Sequence, residues 1–348
     1  MKQISSVIIS ILTAACLITP VYAEAEIFDI HSEIQEAYLA DEQIDNVYEY
    51  GTGKKEYSRP EPYICDFSED TGIGESETYQ IEKASEPDFS DAILIEGLEE
   101  KTYKLYNLYL GEHFYWRAGT EGTDMENSPV HEVYVDDKGP RVCYLEGVTN
   151  VRDIGGYSSS LAENGVIRQG LYYRGAKLND IKKKGRPRFI GELGIKAEID
   201  LRDEQQCKGP YIDGTEYYAV PIPSGTEEIR FEEFAEEYCR IYDLIAKAGE
   251  TPVYLHCSAG ADRTGLVTCM LLLVCGVSYE DVTRDYLFTN LSTMGKREMD
   301  EYSSWIDKLR DFEGETLADK AAEWMKSKGV SEETIEQIRM TFIEGYGI

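Results

Sequence analysis

The stretch His256-Cys257-Ser258-Ala259-Gly260-Ala261-Asp262-Arg263-Thr264-Gly265 puts a nucleophile, a cation and several small residues into one short loop. It lies between an apolar run at 252–256, which reads as a buried strand, and an almost wholly apolar run at 266–274 ending at Gly276, which reads as a buried helix. A loop from the carboxyl end of a parallel strand into a helix N-terminus gathers backbone N–H groups into one concavity, and the helix dipole adds to their pull on an anion. Ser258, Ala259, Gly260 and Ala261 are small enough to let the backbone curl around such an anion and bind it. Arg263, six positions after Cys257, can return over the cup and grip two phosphate oxygens. The same positive field favours a thiolate at Cys257. A thiolate beneath a bound phosphate can attack phosphorus in line and form a phosphocysteine intermediate, with the developing charge held by fixed donors and no metal or cofactor. Thr264 could donate to the sulfur and ease breakdown of that intermediate, and His256 is expected to orient the loop by hydrogen bonding. Cys269 and Cys275 lie in or beside the apolar helix and read as core.

The loop is the C-x5-R signature of cysteine-dependent phosphatases. Residues 141–348 resemble one branch of that superfamily, the bacterial tyrosine/serine phosphatases, some of which have dual protein and phosphoinositide activity. The carriers are Asn150-Val151-Arg152-Asp153-Ile154-Gly155-Gly156-Tyr157, Gly165-Val166-Ile167-Arg168-Gln169-Gly170-Leu171-Tyr172-Tyr173-Arg174, Ile199-Asp200-Leu201-Arg202, the loop itself, and Asp285-Tyr286-Leu287-Phe288-Thr289-Asn290. The resemblance implies a phosphoric monoester hydrolase of tyrosine-phosphatase type. Two departures from the family pattern matter. Ala261 replaces a lysine that favours polyanionic lipid head groups. No Asp stands in the 218–225 stretch, where related enzymes carry a general acid. Asp262 is the first candidate for that acid, with Glu227, Glu228 and Asp200 as weaker alternatives; Asp262 could instead fix the loop by accepting backbone N–H bonds. Arg152 and Asp153 either buttress the loop or pair in the core.

The elements that must position this loop follow from hydropathy patterning. Runs at 196–201 and 252–256 predict buried strands, and Phe231, Phe234, Tyr238, Ile241, Tyr242 and Ile245 predict one face of a helix over 231–247. Strands alternating with helices predict an α/β domain over 141–348, a central mostly parallel sheet flanked by helices. Before it, alternating runs at 63–67, 78–81, 92–95, 102–105, 113–118 and 130–135 are separated by Gly, Asp, Ser and Pro, which predicts a small all-β sandwich over 57–140. That segment resembles a fibronectin type III module through Ser85-Glu86-Pro87-Asp88-Phe89-Ser90 and Leu108-Tyr109-Leu110-Gly111-Glu112-His113-Phe114-Tyr115-Trp116-Arg117, with Leu110 and Phe114 where the family has Pro and Tyr. Trp116 and Tyr103 are expected to fill its core; exposed, they could bind a glycan or protein partner. Residues 24–56 are acidic and polar and read as a lead-in helix or linker.

The chain has 348 residues and a formal net charge of −31. That excess repels nucleic acid and anionic membranes. Residues 1–23 combine a basic start, a short apolar core and small residues before Glu24, the pattern of a secretory signal peptide, so the expected location is secreted or cell-surface, without membrane insertion. Eight cysteines show no paired C-x-x-C units, which excludes a zinc ribbon or a dense disulfide framework. Against the acidic background, Lys182-Lys183-Lys184-Gly185-Arg186-Pro187-Arg188 either draws an anionic substrate or is a solvated helix end. The expected function is an exported phosphomonoesterase acting on phosphotyrosine in a protein or small phosphoester, and on phosphoserine or phosphothreonine as well. The alternatives are inositol polyphosphate or phosphoinositide hydrolysis, and capture of a phospho-ligand without turnover.

Overall fold

A computed structural model describes residues 25–225 and 233–347. The leader at 1–23, and Glu227 and Glu228, lie outside the described residues. Elements run in chain order as β1 (Glu26–Phe28), α1 (Glu33–Leu39), a single turn at Val47–Tyr50, β2 (Tyr63–Asp66), β3 (Tyr79–Ala84), β4 (Ile93–Leu98), β5 (Thr102–Leu105), β6 (His113–Thr120) and β7 (His131–Val135). They continue as β8 (Arg152–Asp153), β9 (Ser158–Ser159), β10 (Gly165–Val166), β11 (Tyr172–Gly175), β12 (Ala197–Asp200), β13 (Glu216–Ala219), α2 (Ala235–Ala248), β14 (Val253–His256) and α3 (Asp262–Val274). Four helices close the chain: α4 (Tyr279–Phe288), α5 (Met299–Leu309), α6 (Leu317–Ser327) and α7 (Glu332–Phe342).

Each alternating run in the first half forms a strand. They assemble into one five-stranded sheet, β1-β7-β6-β3-β4, and a two-stranded ladder, β2-β5. Tyr63 packs edge-on against Phe28 and Phe114, each at 5.3 Å between ring centres, and Trp116 lies flat on His131 at 3.9 Å. Trp116 is 1% exposed, so it belongs to this core and presents no face to a glycan; Tyr103 is half-buried. The lead-in is not a linker. Its β1 pairs in parallel with β7, so the sheet extends beyond 57–140, and Tyr38 and Val47 are fully buried. Arg284 of α4 donates to the carbonyls of Tyr38 (3.1 Å) and Asp41 (2.5 Å). An acidic composition hid this packing because a few apolar side chains, spaced among carboxylates, are enough to seat a strap on a larger surface.

The second half carries a five-stranded sheet in the order β13-β12-β14-β11-β8, parallel except for β8 at its edge. Gly175 and Asp200 both stand opposite His256, and Asp200 opposite Ala219. The four parallel strands therefore end level, and the loops after them open on one edge, where α/β sheets gather ligands. The buried runs are where the pattern requires them: β12 and β14 are buried at every position, and α2 buries Tyr238, Ile241, Tyr242 and Ile245. Helix α3 starts at Asp262, earlier than its apolar run, because Asp262 suits the positive end of the helix dipole and Arg263-Thr264-Gly265 continues inward. Residues 263–274 are all buried, so α3 is the axis around which α4, α6 and α7 pack. Burial also pushes the Cys275 thiol up to about 12, as fits a core thiol. All seven cysteines of the described residues are free.

Trp116→Ala is expected to cost about 3–5 kcal/mol of stability through loss of a fully buried ring. Urea unfolding of the full chain checks it.

Candidate active site

The 256–262 loop follows β14 at the level edge of the sheet, and its shape comes from what holds its carbonyls. His256 Nδ1 lies 3.0 Å from the Cys257 carbonyl, Lys177 N donates to that of Ser258 at 3.3 Å, and Asn150 Nδ2 to that of Ala259 at 3.0 Å. Arg174 Nη2 reaches the Gly260 carbonyl at 2.7 Å and the Ala261 carbonyl at 3.4 Å. Five consecutive carbonyls are thus tied to the scaffold. Across a trans peptide the C=O of one residue and the N–H of the next point in opposite directions. The amides that follow are therefore turned away from the scaffold, and those of Ser258, Ala259, Gly260 and Ala261 donate to no group among the described residues. Together with the start of α3 they make an anion-binding cup.

Gly260 has φ +67°, and a Cβ there would stand 2.1 Å from the Gly175 carbonyl oxygen, so no other residue fits. Cys257 is buried at the base of the loop. Arg263 is buried as well; its Nη1 donates to the carbonyls of Leu201 (3.1 Å) and Ile222 (2.6 Å), the loops after β12 and β13. That fixes the guanidinium while its remaining N–H groups stay uncommitted among the described residues. Asp203, which the sequence reading passed over, lies 3.8 Å from Arg263 Nη1. The Thr264 hydroxyl is buried with no hydrogen-bond partner among the described residues, beside the loop it was expected to serve.

His256 is fully committed. Nε2 meets Glu198 Oε1 at 2.9 Å while Nδ1 faces the Cys257 carbonyl at 3.0 Å, so both ring nitrogens have partners. Glu198, Asp200 and His256 bring potential metal-ligand atoms within 4.8 Å of one another, but His256 has no free nitrogen to offer. Asp200 is spent too: Arg202 donates to both of its oxygens, at 2.9 and 2.7 Å, and the Tyr217 hydroxyl to one at 3.0 Å. Burial opposes its charge, yet the Arg202 hydrogen bonds hold it below the ordinary carboxylate range, and both oxygens are engaged within the scaffold.

Arg152 and Asp153, neighbours in sequence, do different work because adjacent strand residues face opposite ways. Arg152 buttresses the loop: Nη1 donates to Asn150 Oδ1 at 2.6 Å, and Nε to Asp285 Oδ1 at 2.7 Å. Asp153 instead binds Arg141 at 2.8 Å, and Arg141 reaches the carbonyls of Leu108 and Asn107 at 2.9 and 2.7 Å, joining the β-rich half to the α/β half. Asp285 also accepts from Arg174 Nη1. Burial works against the Asp285 charge, but Arg152 and Arg174 hold its carboxyl below the usual range. Sequence reasoning gave Asn150, Arg174 and Asp285 no role. The available signal was a charged residue, Arg174, inside an otherwise buried strand.

Asp262 does not cap backbone amides. Its carboxylate faces Arg297, with Nη2 to Oδ2 at 2.8 Å and Nε to Oδ1. The stretch after β13, Pro221-Ile222-Pro223-Ser224-Gly225, carries no acid. Beside Ser258 opens a cleft of about 280 Å³ whose walls include Glu56, Arg59, Thr149 and Lys177. In the basic run, Lys182, Lys183, Lys184 and Arg186 are exposed around the single helical turn Gly185–Pro187. Arg188 is drawn off by Glu146 at 3.0 Å and Glu192 at 2.8 Å.

Two outcomes are expected. Gly260→Ala should lower turnover at least about 100-fold by displacing the loop, measured as kcat on an aryl phosphate. Asp285→Ala should cost about 3–5 kcal/mol at neutral pH by leaving two buried guanidinium groups unpaired. The folded Asp285 carboxyl titrates below its unfolded value. Its contribution is therefore complete above about pH 4 and is lost as pH falls through the folded value, so urea midpoints of wild type and variant should converge in acid.

The chain is 26% identical over 260 residues to the triple specificity protein phosphatase PtpB of Mycobacterium tuberculosis, covering 58% of this chain and 89% of that one. It is 24% identical over 121 residues to a tyrosine-protein phosphatase of Nostoc commune, covering 28% of this chain and 41% of that one. The solved structure of P. aeruginosa TpbA aligns with 53% of this chain and 94% of its own at 15% identity, but with a TM-score of 0.29, too low to bear on the fold. A model of the tyrosine phosphatase family matches residues 143–347, more than half of the chain and all of the cup and its anchors from Asn150 onward. This chain, a phosphatase hydrolase, belongs to the tyrosine phosphatase family.

Proposed function

We propose that the protein is an exported phosphomonoesterase that hydrolyses phosphotyrosine, and phosphoserine or phosphothreonine with it, through a phosphocysteine intermediate. The observation that carries this reading is the cup itself: tied carbonyls, inward amides, Cys257 at the base and an anchored Arg263. Two relatives named as tyrosine and triple-specificity phosphatases support the substrate class. Export rests on the 1–23 leader pattern.

In this reading the Ser258–Arg263 amides and the Arg263 guanidinium hold the three non-bridging oxygens. The Cys257 thiolate attacks phosphorus, the S–P bond forms and the P–O ester bond breaks, with the electron pair leaving on the alcohol or phenol oxygen, which takes up a proton. Water then attacks phosphorus, the S–P bond breaks, and phosphate leaves with the thiolate restored. The Thr264 hydroxyl, with no partner among the described residues, is available to donate to the departing sulfur. Asp262 turns both oxygens to the Arg297 guanidinium, so in this reading it anchors Arg297, and the leaving oxygen takes its proton from solvent. The exposed lysines at 182–184 favour a second reading, hydrolysis of an inositol polyphosphate or phosphoinositide, against which stand the acidic chain and Ala261 in the loop.

Cys257→Ser is expected to abolish turnover of a phosphotyrosine peptide while still binding phosphate, and Arg263→Ala to lose both. Near-normal turnover in Cys257→Ser would exclude the thiolate mechanism, and activity on phytate exceeding that on the peptide would favour the second reading. EDTA should leave turnover unchanged. For Asp262→Asn, the same fractional loss is expected on phenyl phosphate and on p-nitrophenyl phosphate, within about tenfold of wild type. A selectively larger loss on phenyl phosphate, the poorer leaving group, would assign Asp262 the acid role.

A further inference from the structure

The catalytic loop rests partly on a segment outside the family-matched 143–347. Residues 51–59 lie as a strap across the turn that follows α4. Gly53 N donates to the Asn290 carbonyl at 2.9 Å, Gly295 N to that of Gly53 at 3.2 Å, and Tyr57 N to that of Leu291 at 2.6 Å. Gly53 has φ +72°, and a Cβ on it would stand 2.2 Å from the carbonyl carbon of Gly295, so the two glycines meet backbone to backbone. From the other side, Gln35 of α1 donates to the carbonyls of Tyr57 and Arg59, at 2.5 and 2.9 Å.

Seated this way, the strap reaches the turn beneath the cup. The buried Ser58 hydroxyl accepts from Asn150 N at 3.1 Å and donates to Glu56 Oε1 at 2.6 Å. The other Glu56 oxygen takes the Thr149 hydroxyl, and the Thr293 hydroxyl at 3.4 Å. Asn150 is the residue whose side chain holds the Ala259 carbonyl, and it does so from φ +60°, a left-handed conformation that must be held in place. Its N–H is buried, and Ser58 is its acceptor.

Granted the phosphatase reading above, we infer that Glu56 and Ser58 are positioning residues of the active site. They fix the Thr149–Asn150 turn, which fixes the Ala259 carbonyl, which keeps the following amide aimed at phosphate. Removing the Ser58 acceptor leaves the Asn150 N–H buried and unpaired, so the turn relaxes and the cup loses a donor. Thr293 ties the same carboxylate to the turn that leads to Arg297, the partner of Asp262, so one strap carboxylate steadies both flanks of the loop.

The test uses the full chain with Ser58→Ala, Ser58→Thr and Glu56→Gln. It reads kcat on p-nitrophenyl phosphate, the inhibition constant and calorimetric affinity of orthovanadate, and the thermal midpoint. Ser58→Ala and Glu56→Gln should each lower kcat and weaken orthovanadate by about tenfold, roughly the loss of one oriented hydrogen bond. The midpoint should stay close to wild type, and Ser58→Thr should restore both numbers. Folded variants with wild-type kcat and orthovanadate affinity would overturn the proposal. If Ser58→Ala does not fold, Glu56→Gln decides by the same two numbers. A wild-type chain that neither turns over nor binds orthovanadate would overturn the phosphatase reading and this proposal with it. A wild-type chain that binds it, with unaltered variants, would overturn the strap's role alone.

Discussion

Everything at this site depends on the direction in which a few peptide groups face. Five carbonyls in succession, from Cys257 to Ala261, are claimed by His256, Lys177, Asn150 and Arg174. Once they are claimed, the adjoining N–H groups have only one way to point. Charge stabilisation by dipoles costs nothing at the moment of reaction when the dipoles are already oriented. In the proposed mechanism rigidity is therefore the asset, and the buried side chains of Asn150, Arg152, Arg174, His256 and Asp285 serve it.

The same logic explains why a chain of net charge −31 buries so much arginine at its centre. Arg152 and Arg174 share Asp285, while Arg141 pairs with Asp153. Buried ion pairs add little net stability, because desolvation offsets the attraction, but breaking one is severe. Their value lies in geometry: a guanidinium with several fixed donors can hold a carboxylate on one side and a loop carbonyl on another, as Arg174 does. An apolar replacement would pack as well and orient nothing.

How far the sequence disclosed this arrangement depends on the kind of signal. Strands β12 and β14 and helix α3 were legible because burial on all sides leaves an unbroken apolar run, and the loop between them because Cys257, Gly260 and Arg263 stand at a spacing with a chemical meaning. Six of the seven strands of the β-rich half were legible from alternation; β1, inside the acidic lead-in, was not. Arg152 was singled out with Asp153, but linear order could not show that adjacent strand residues serve opposite faces. Asn150 and Asp285 stood in the motifs that carry the resemblance, but their anchoring role was not legible because such a role is defined by what lies across space. The strap went unseen for a related reason: nothing in the types of Glu56 and Ser58 points to Thr149 and Asn150 until the fold places them side by side. Asp262 was read for its acidity or for capping the loop, and its contact with Arg297, distant in sequence, could not be seen from linear order.

The strap also imposes an order of events on the chain's own maturation. Arg284 binds the carbonyls of Tyr38 and Asp41 across 246 and 243 residues, and Gly53 closes on Gly295. Contacts so far apart in sequence form slowly. The strap therefore seats only once its two distant contact regions, around Arg284 and around Gly295, are both in place. Until then the Asn150 N–H lacks its Ser58 acceptor, so the turn beneath the loop is among the last parts of the fold to become rigid.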